Sequence, residues 1–184
     1  MSFFSPRHIR VFCLALAGLL LAACDNNTPL MKDVLGEDAD KVSQTLGQAV
    51  DVNATNRYGW TALMHAARLG NTDIMTLLLD HGAEIDLRDK SGWTALMRAA
   101  VKGHQDAVKL LLDSGASPDI QDEEGYTAMH WAAHRGHIIV VKQLLDAGAN
   151  PNLKNRDGWT PMMVALQENE QDVATLLEPY TTVR

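Results

Sequence analysis

Cysteine, aromatic residues and positive charge are all in short supply in this 184-residue chain. Its two cysteines, Cys13 and Cys24, cannot build a disulfide framework or a four-thiolate zinc site. Only 5 % of residues are aromatic, and Phe3, Phe4 and Phe12 all precede residue 24, so a core beyond that point is made of Leu, Ala, Met, Val and Ile. Sixteen Lys and Arg stand against 23 Asp and Glu, a formal net charge of −7. Neutralising phosphates over a wide face takes a basic surface, so generic nucleic-acid binding is disfavoured. There is one long apolar run, which excludes a protein that crosses a membrane several times. What remains is 46 % hydrophobic, which suits one globular domain of ~100–200 residues and argues against wholesale disorder.

That apolar run opens the chain. Arg7 and Arg10 form a positive n-region, and Val11 to Ala23 is an uncharged stretch of thirteen residues. A membrane-spanning helix needs about 20, so the stretch reads as a secretory signal peptide. It ends Leu21-Ala22-Ala23-Cys24, followed by the polar Asp25-Asn26-Asn27. This resembles the lipobox of bacterial lipoproteins. The resemblance implies that residues 1–23 are removed and that Cys24 is lipidated. The mature protein would then be lipid-anchored in the bacterial cell envelope, facing the periplasm. Each buried methylene contributes ~0.8 kcal/mol, and two or more acyl chains anchor stably, so acylated Cys24 alone would hold the chain on the membrane. Cys13 leaves with the signal, which removes thiol catalysis, and the remaining 161 residues carry −9. Asp25 directly after the cysteine resembles the enterobacterial signal for inner-membrane retention; the outer membrane is the alternative.

The rest of the chain repeats. Thr61, Thr94, Thr127 and Thr160 lie 33 residues apart, and Gly59, Gly92, Gly125 and Gly158 keep the same step. So do Trp60, Trp93, Tyr126 and Trp159, then Ala66, Ala99, Ala132 and Ala165, then Leu78, Leu111, Leu144 and Leu177. In residues 90–122, Lys90-Ser91-Gly92 is turn chemistry and Thr94 is a helix N-cap. Ala95 to Lys102 is predicted as a short helix ended by Gly103, and Val108, Leu111 and Leu112 mark the buried face of a second, stopped by Gly115.

Gly-Trp-Thr-Ala-Leu-Met at 59–64, Gly-Tyr-Thr-Ala-Met-His-Trp-Ala-Ala at 125–133 and Leu-Leu-Leu-Asp-His-Gly-Ala at 77–83 resemble the ankyrin repeat, a β-turn and two antiparallel helices with this period. The resemblance implies an all-α solenoid of helix-turn-helix units joined by β-turns. Residues 57–155 hold three full repeats. Residues 24–56 read as a degenerate N-terminal capping repeat, because Thr28-Pro29-Leu30-Met31 precedes Thr61 by one period and Asp33 and Glu37 replace small residues. Residues 156–184 read as the C-terminal cap, with Asn169 for Gly and Pro179 ending the helix. Polar substitutions suit an outer face that meets water. Asp25, Asn26 and Asn27 span about 10 Å at most, so an anchored array would stand close on the bilayer.

Chemistry is thinly represented. His130, His134 and His137 have the i, i+4, i+7 spacing of a metal site, and a metal-dependent enzyme is the alternative they raise. Against it, the resemblance makes His130 the family's structural histidine, and His137 repeats the register of His104. No phosphate loop, nucleophile elbow or paired-carboxylate pattern occurs, so no enzyme activity and no cofactor are expected. The aromatic file Trp60, Trp93, Tyr126 and Trp159 supports two readings: staples between repeats, or interface anchors about 10 Å apart. Sharper are the positions that vary between repeats. After each threonine box stand His65, Arg98, Trp131 and Val164, and nearby come Arg68, Lys102, His134 and Arg135. In the ankyrin family such positions line the concave binding surface. Scattered surface charge is the bland reading. The other is a face gathering cations in an acidic chain, suited to a protein partner with an acidic surface. The expectation is a monomeric, lipid-anchored protein-binding module, with inhibition or protection of an envelope enzyme or toxin as its specific form and a purely structural membrane spacer as a further alternative. Trp131 is expected to face outward.

Overall fold

The computed structural model describes residues 26–181; the signal segment, Cys24 and Asp25 lie outside the described residues. Among the described residues, ten α-helices follow in pairs: α1 Pro29–Leu35 and α2 Ala39–Leu46, α3 Ala62–Leu69 and α4 Thr72–Asp80, α5 Ala95–Lys102 and α6 Gln105–Asp113, α7 Ala128–His134 and α8 Ile138–Asp146, α9 Pro161–Gln167 and α10 Gln171–Leu177. A 3-10 turn, Glu178–Tyr180, ends the array at Pro179. There is no strand among the described residues, and none of these helices is long and apolar enough to cross a membrane.

The helix boundaries follow from capping chemistry. Thr94 accepts a hydrogen bond from the Met97 amide at 3.3 Å, and Gly103 ends α5 in the left-handed region. Thr28, Thr61, Thr127 and Thr160 cap α1, α3, α7 and α9 in the same way, so the N-terminal repeat keeps the cap although it has lost other features. The left-handed bend after the first helix persists there on Glu37, at φ 53°, and in the last repeat on Asn169, at φ 64°.

Each first helix packs on the first helix of the next repeat, and each second helix on the next second helix. The first helices sit closer together because Ala66, Ala67, Ala99, Ala100, Ala132 and Ala133, all fully buried, present no bulk between them. The array therefore curves toward the first helices and the turn tips, which form its concave side. Leu78, Leu111, Leu144 and Leu177 form a continuous buried row through the second helices. At the N-terminal end that row is closed by Thr45, whose hydroxyl donates to Asp33 at 2.7 Å. Asp33 is thus half-buried and satisfied, where the sequence suggested a residue simply turned to water.

The turns stack as well. Asn56, Asp89, Asp122 and Asn155 share the 33-residue step, and the Oδ1 atom of each accepts two amides of its own turn, such as Ser91 at 2.8 Å and Trp93 at 3.0 Å on Asp89. Successive tips are joined by backbone bonds from Lys90 to Tyr58, Glu123 to Ser91 and Arg156 to Glu124, at 2.9–3.0 Å. Gly92 makes this stacking possible: φ is +81°, and a Cβ there would lie 2.9 Å from backbone atoms of the next turn. Gly115 has φ +91° but open space around it. A side chain in the left-handed region costs roughly 1–2 kcal/mol, so Gly115→Ala is expected to destabilise by about that amount and Gly92→Ala by clearly more. Urea unfolding of the two variants side by side checks the order.

Candidate functional site: an aromatic and cationic ladder on the concave side

The aromatic tips do not stack on one another directly. Arg98, from α5, inserts between Trp60 and Trp93, with its guanidinium carbon 3.9 Å and 4.2 Å from the two ring centroids. Trp131, from α7, inserts in the same way between Trp93 and Tyr126, at centroid distances of 4.4 Å and 4.9 Å. The result is one unbroken stack, Trp60–Arg98–Trp93–Trp131–Tyr126, across three repeats. Cation–π and ring-stacking contacts of this kind are each worth about 0.5–1.5 kcal/mol. Each inserted side chain ties the turn of its own repeat to the preceding one.

What holds each inserted side chain is the second oxygen of the turn carboxylate. Asp89 Oδ2 accepts from Arg98 in an ion pair whose side chains are only 2 % and 16 % exposed. Burial pushes the Arg98 guanidinium below its ordinary value, opposed by its hydrogen bond and attraction to Asp89; an arginine so placed stays charged. Asp122 Oδ2 accepts from the Trp131 indole at 2.9 Å. Burial raises the Asp122 carboxyl above its ordinary range, against the Tyr126 amide and the indole, which favour its charged form. Where the turn residue is Asn56 or Asn155, the inserted position holds His65 or Val164 instead. The sequence held this signal, since Asn/Asp precedes each turn glycine by three residues.

The register 65, 98, 131, 164 is therefore more enclosed than expected. His65 is 6 % exposed and tilted against Trp60 at 4.9 Å, and Val164 is 3 % exposed. Trp131, expected to face outward, is half-buried because its indole nitrogen must reach Asp122. Trp60, Trp93 and Tyr126 are half-buried too, while Trp159 lies beyond the stack and is 37 % exposed. Arg68 stands 5.8 Å over Trp60; Lys102 and Arg135 are exposed. Arg68, Lys102 and Arg135 border one open depression of about 390 Å3, with Trp93, Arg98 and Val101 as the other lining residues. The structure thus brings the candidate cations together and leaves Trp159 apart from them. At the C-terminal end Met163 and Leu166 are also exposed, beside a second depression of about 490 Å3.

The three histidines do not form a metal site. His130 is fully buried, its Nδ1 accepting from the Thr127 amide at 3.1 Å and its Nε2–H donating to the Trp159 carbonyl at 3.0 Å. Both ring nitrogens are spent, Nδ1 on the cap of its own helix and Nε2 on the next repeat. His137 sits over Gly103 and donates to the Val101 carbonyl at 3.3 Å, as His104 sits over Gly70 and donates to Arg68 at 3.0 Å. His134 lies 3.4 Å from Glu168. No cluster of three or more His, Cys, Asp or Glu placed to hold a metal occurs among the described residues.

Burial lowers the His130 pKa from 6.5 to about 4. The folded state keeps it neutral, while an unfolded chain takes up the proton near 6.5. Its contribution is therefore full above that pH and is lost as pH falls toward about 4, on the order of 3 kcal/mol in all. His130→Met, the residue used in that register at 64, 97 and 163, should flatten the acid limb of the stability profile. Unfolding free energies measured from about pH 7 to 4.5 on both proteins check this.

A stack of short helical pairs, each unable to bury its apolar face alone, defines a solenoid repeat protein. The chain matches the family model described as ankyrin repeats (3 copies) over residues 19–122 and 114–182. It belongs to the ankyrin repeat family, which is generally non-catalytic. Among curated proteins it is similar to the mitochondrial disaggregase of Homo sapiens, 38 % identical over 74 residues, which is 37 % of this chain and 10 % of that protein. It is also similar to ankyrin repeat, SAM and basic leucine zipper domain-containing protein 1 of Equus caballus, 34 % identical over 58 residues, 32 % of this chain and 12 % of that protein. The chain thus spans about a tenth of the length of these relatives.

Proposed function

We propose that this protein is a non-catalytic, lipid-anchored binding module on the periplasmic side of a bacterial membrane. Its concave face would engage a protein partner with an acidic surface. The observation that carries the reading is the ladder and the cations beside it. The stack fixes Trp93, Arg98 and Trp131 before any partner arrives, so little side-chain ordering opposes binding. Trp, Tyr and Arg are the residue types that dominate interface energetics. Ankyrin repeats supply the general class, a protein-interaction module. The finer elements rest on the sequence: Cys24 as the acylated residue, Asp25 as the inner-membrane signal, a monomeric chain, and a role in masking an envelope enzyme or toxin.

Two experiments test the reading. In-cell crosslinking followed by affinity recovery should give a partner product for the wild-type protein and lose it for a Lys102→Glu/Arg135→Glu variant. A structural spacer would give no such product from either. For the anchor, Cys24→Ser should yield uncleaved precursor or a soluble periplasmic species, because the acyl chains would be the membrane contact. Retention of the Ser variant through a carbonate wash, as tight as wild type, would contradict the lipoprotein reading.

A further inference from the structure

The depression between α3, α5 and α7 has a charge pattern that composition does not explain. Four of its six lining residues are cations, none is acidic, and the whole chain carries −7. Arg98 is committed to Asp89. Arg68, Lys102 and Arg135 have no side-chain hydrogen bond or ion pair among the described residues, and Arg68 lies near enough to Arg98 to repel it. Like charges gathered at one place destabilise each other unless an anion joins them. The acidity elsewhere on the chain would repel a long polyanion, whereas Trp93 and Val101 offer apolar contact to a peptide.

The three cations also have a spacing. Arg68, Lys102 and Arg135 come from the last turns of first helices, or the residue just after, in three successive repeats. Adjacent packed helices lie about 8–10 Å apart. A peptide in the polyproline II conformation advances about 3.1 Å per residue and turns every third side chain to the same side, so three residues match one repeat. Resting on the binding reading above, we infer that this depression is a carboxylate site for an extended acidic segment of the partner, with Asp or Glu at every third residue beside Arg68, Lys102 and Arg135.

The probe is a synthetic peptide, Glu-Ser-Ser-Glu-Ser-Ser-Glu, titrated calorimetrically at low salt against the acylated protein in mild detergent. It should bind roughly ten-fold more tightly than a peptide with its three Glu contiguous, and all-Ser peptide should not bind. Lys102→Glu and Arg135→Glu should each lose about five-fold or more with no fall in melting temperature, while Lys142→Glu on α8 should bind as wild type does. Equal binding of the spaced and contiguous peptides, or undiminished binding by Arg135→Glu, overturns the inference. So does inorganic phosphate or a phosphatidylglycerol vesicle binding where the peptide does not. If the peptides fail while in-cell crosslinking still yields a partner lost in Lys102→Glu/Arg135→Glu, the spacing falls and the binding reading stands. If neither is seen, both fall.

Discussion

Trp131→Ala and Arg98→Ala are each expected to lower the unfolding free energy by about 3 kcal/mol or more. Had the register faced freely outward, as its variability suggests, truncation would scarcely touch stability. The structure changes that expectation. Removing Trp131 takes a ring from between Trp93 and Tyr126 and deprives Asp122 of its indole donor. Removing Arg98 leaves the Asp89 carboxylate, 2 % exposed, without its counter-charge, and separates Trp60 from Trp93. Breaking one side of a buried pair is costlier than replacing both sides. Asp89→Asn combined with Arg98→Met should therefore recover much of the loss, since Asn56 and Asn155 already fill that turn position in other repeats. Thermal and urea unfolding of the single and double variants measure this directly; additive losses would show that the ion pair is not the coupling.

Leu111→Ala is expected to cost about 2–5 kcal/mol. Leu111 is fully buried in α6, in the apolar row between α4 and α8. Its loss removes roughly 1.5–3 kcal/mol of burial and leaves a cavity that neighbouring helices can only partly close. A domain is stable by only ~5–15 kcal/mol, and in a repeat array the damage falls on two adjacent interfaces. The variant should unfold at a lower urea concentration and with weakened cooperativity. An unchanged midpoint would mean that α6 is not stacked as described.

Much of this architecture was legible because repetition multiplies each signal. Thr94, Gly103, Leu111 and Gly115 each mark a helix end or a buried face, and each is echoed at the same step. The turn residues Asn56, Asp89, Asp122 and Asn155 were missed although they keep that step, because Asn and Asp look interchangeable until the second side-chain oxygen is given a partner. The burial of His65 and Arg98 was missed for a related reason. Sequence variability at one register reads as exposure, yet here the occupant follows the turn residue: Arg98 and Trp131 bind Asp89 and Asp122, while His65 and Val164 go with Asn56 and Asn155. The cation cluster was partly visible; that Arg98 is spent on Asp89 and Arg68, Lys102 and Arg135 are not is a matter of distances alone.

The concave face, and not the outer face of the second helices, is proposed to meet a protein partner. The decisive measurement places a photo-crosslinking amino acid in living cells at position 91, exposed at a turn tip beside Trp93, and separately at position 146, exposed on α8. One discrete protein product is expected from position 91, diminished by Lys102→Glu, and none from position 146. Products of equal yield from both positions, or none from position 91 while the protein is folded and membrane-bound, would contradict the concave-face reading.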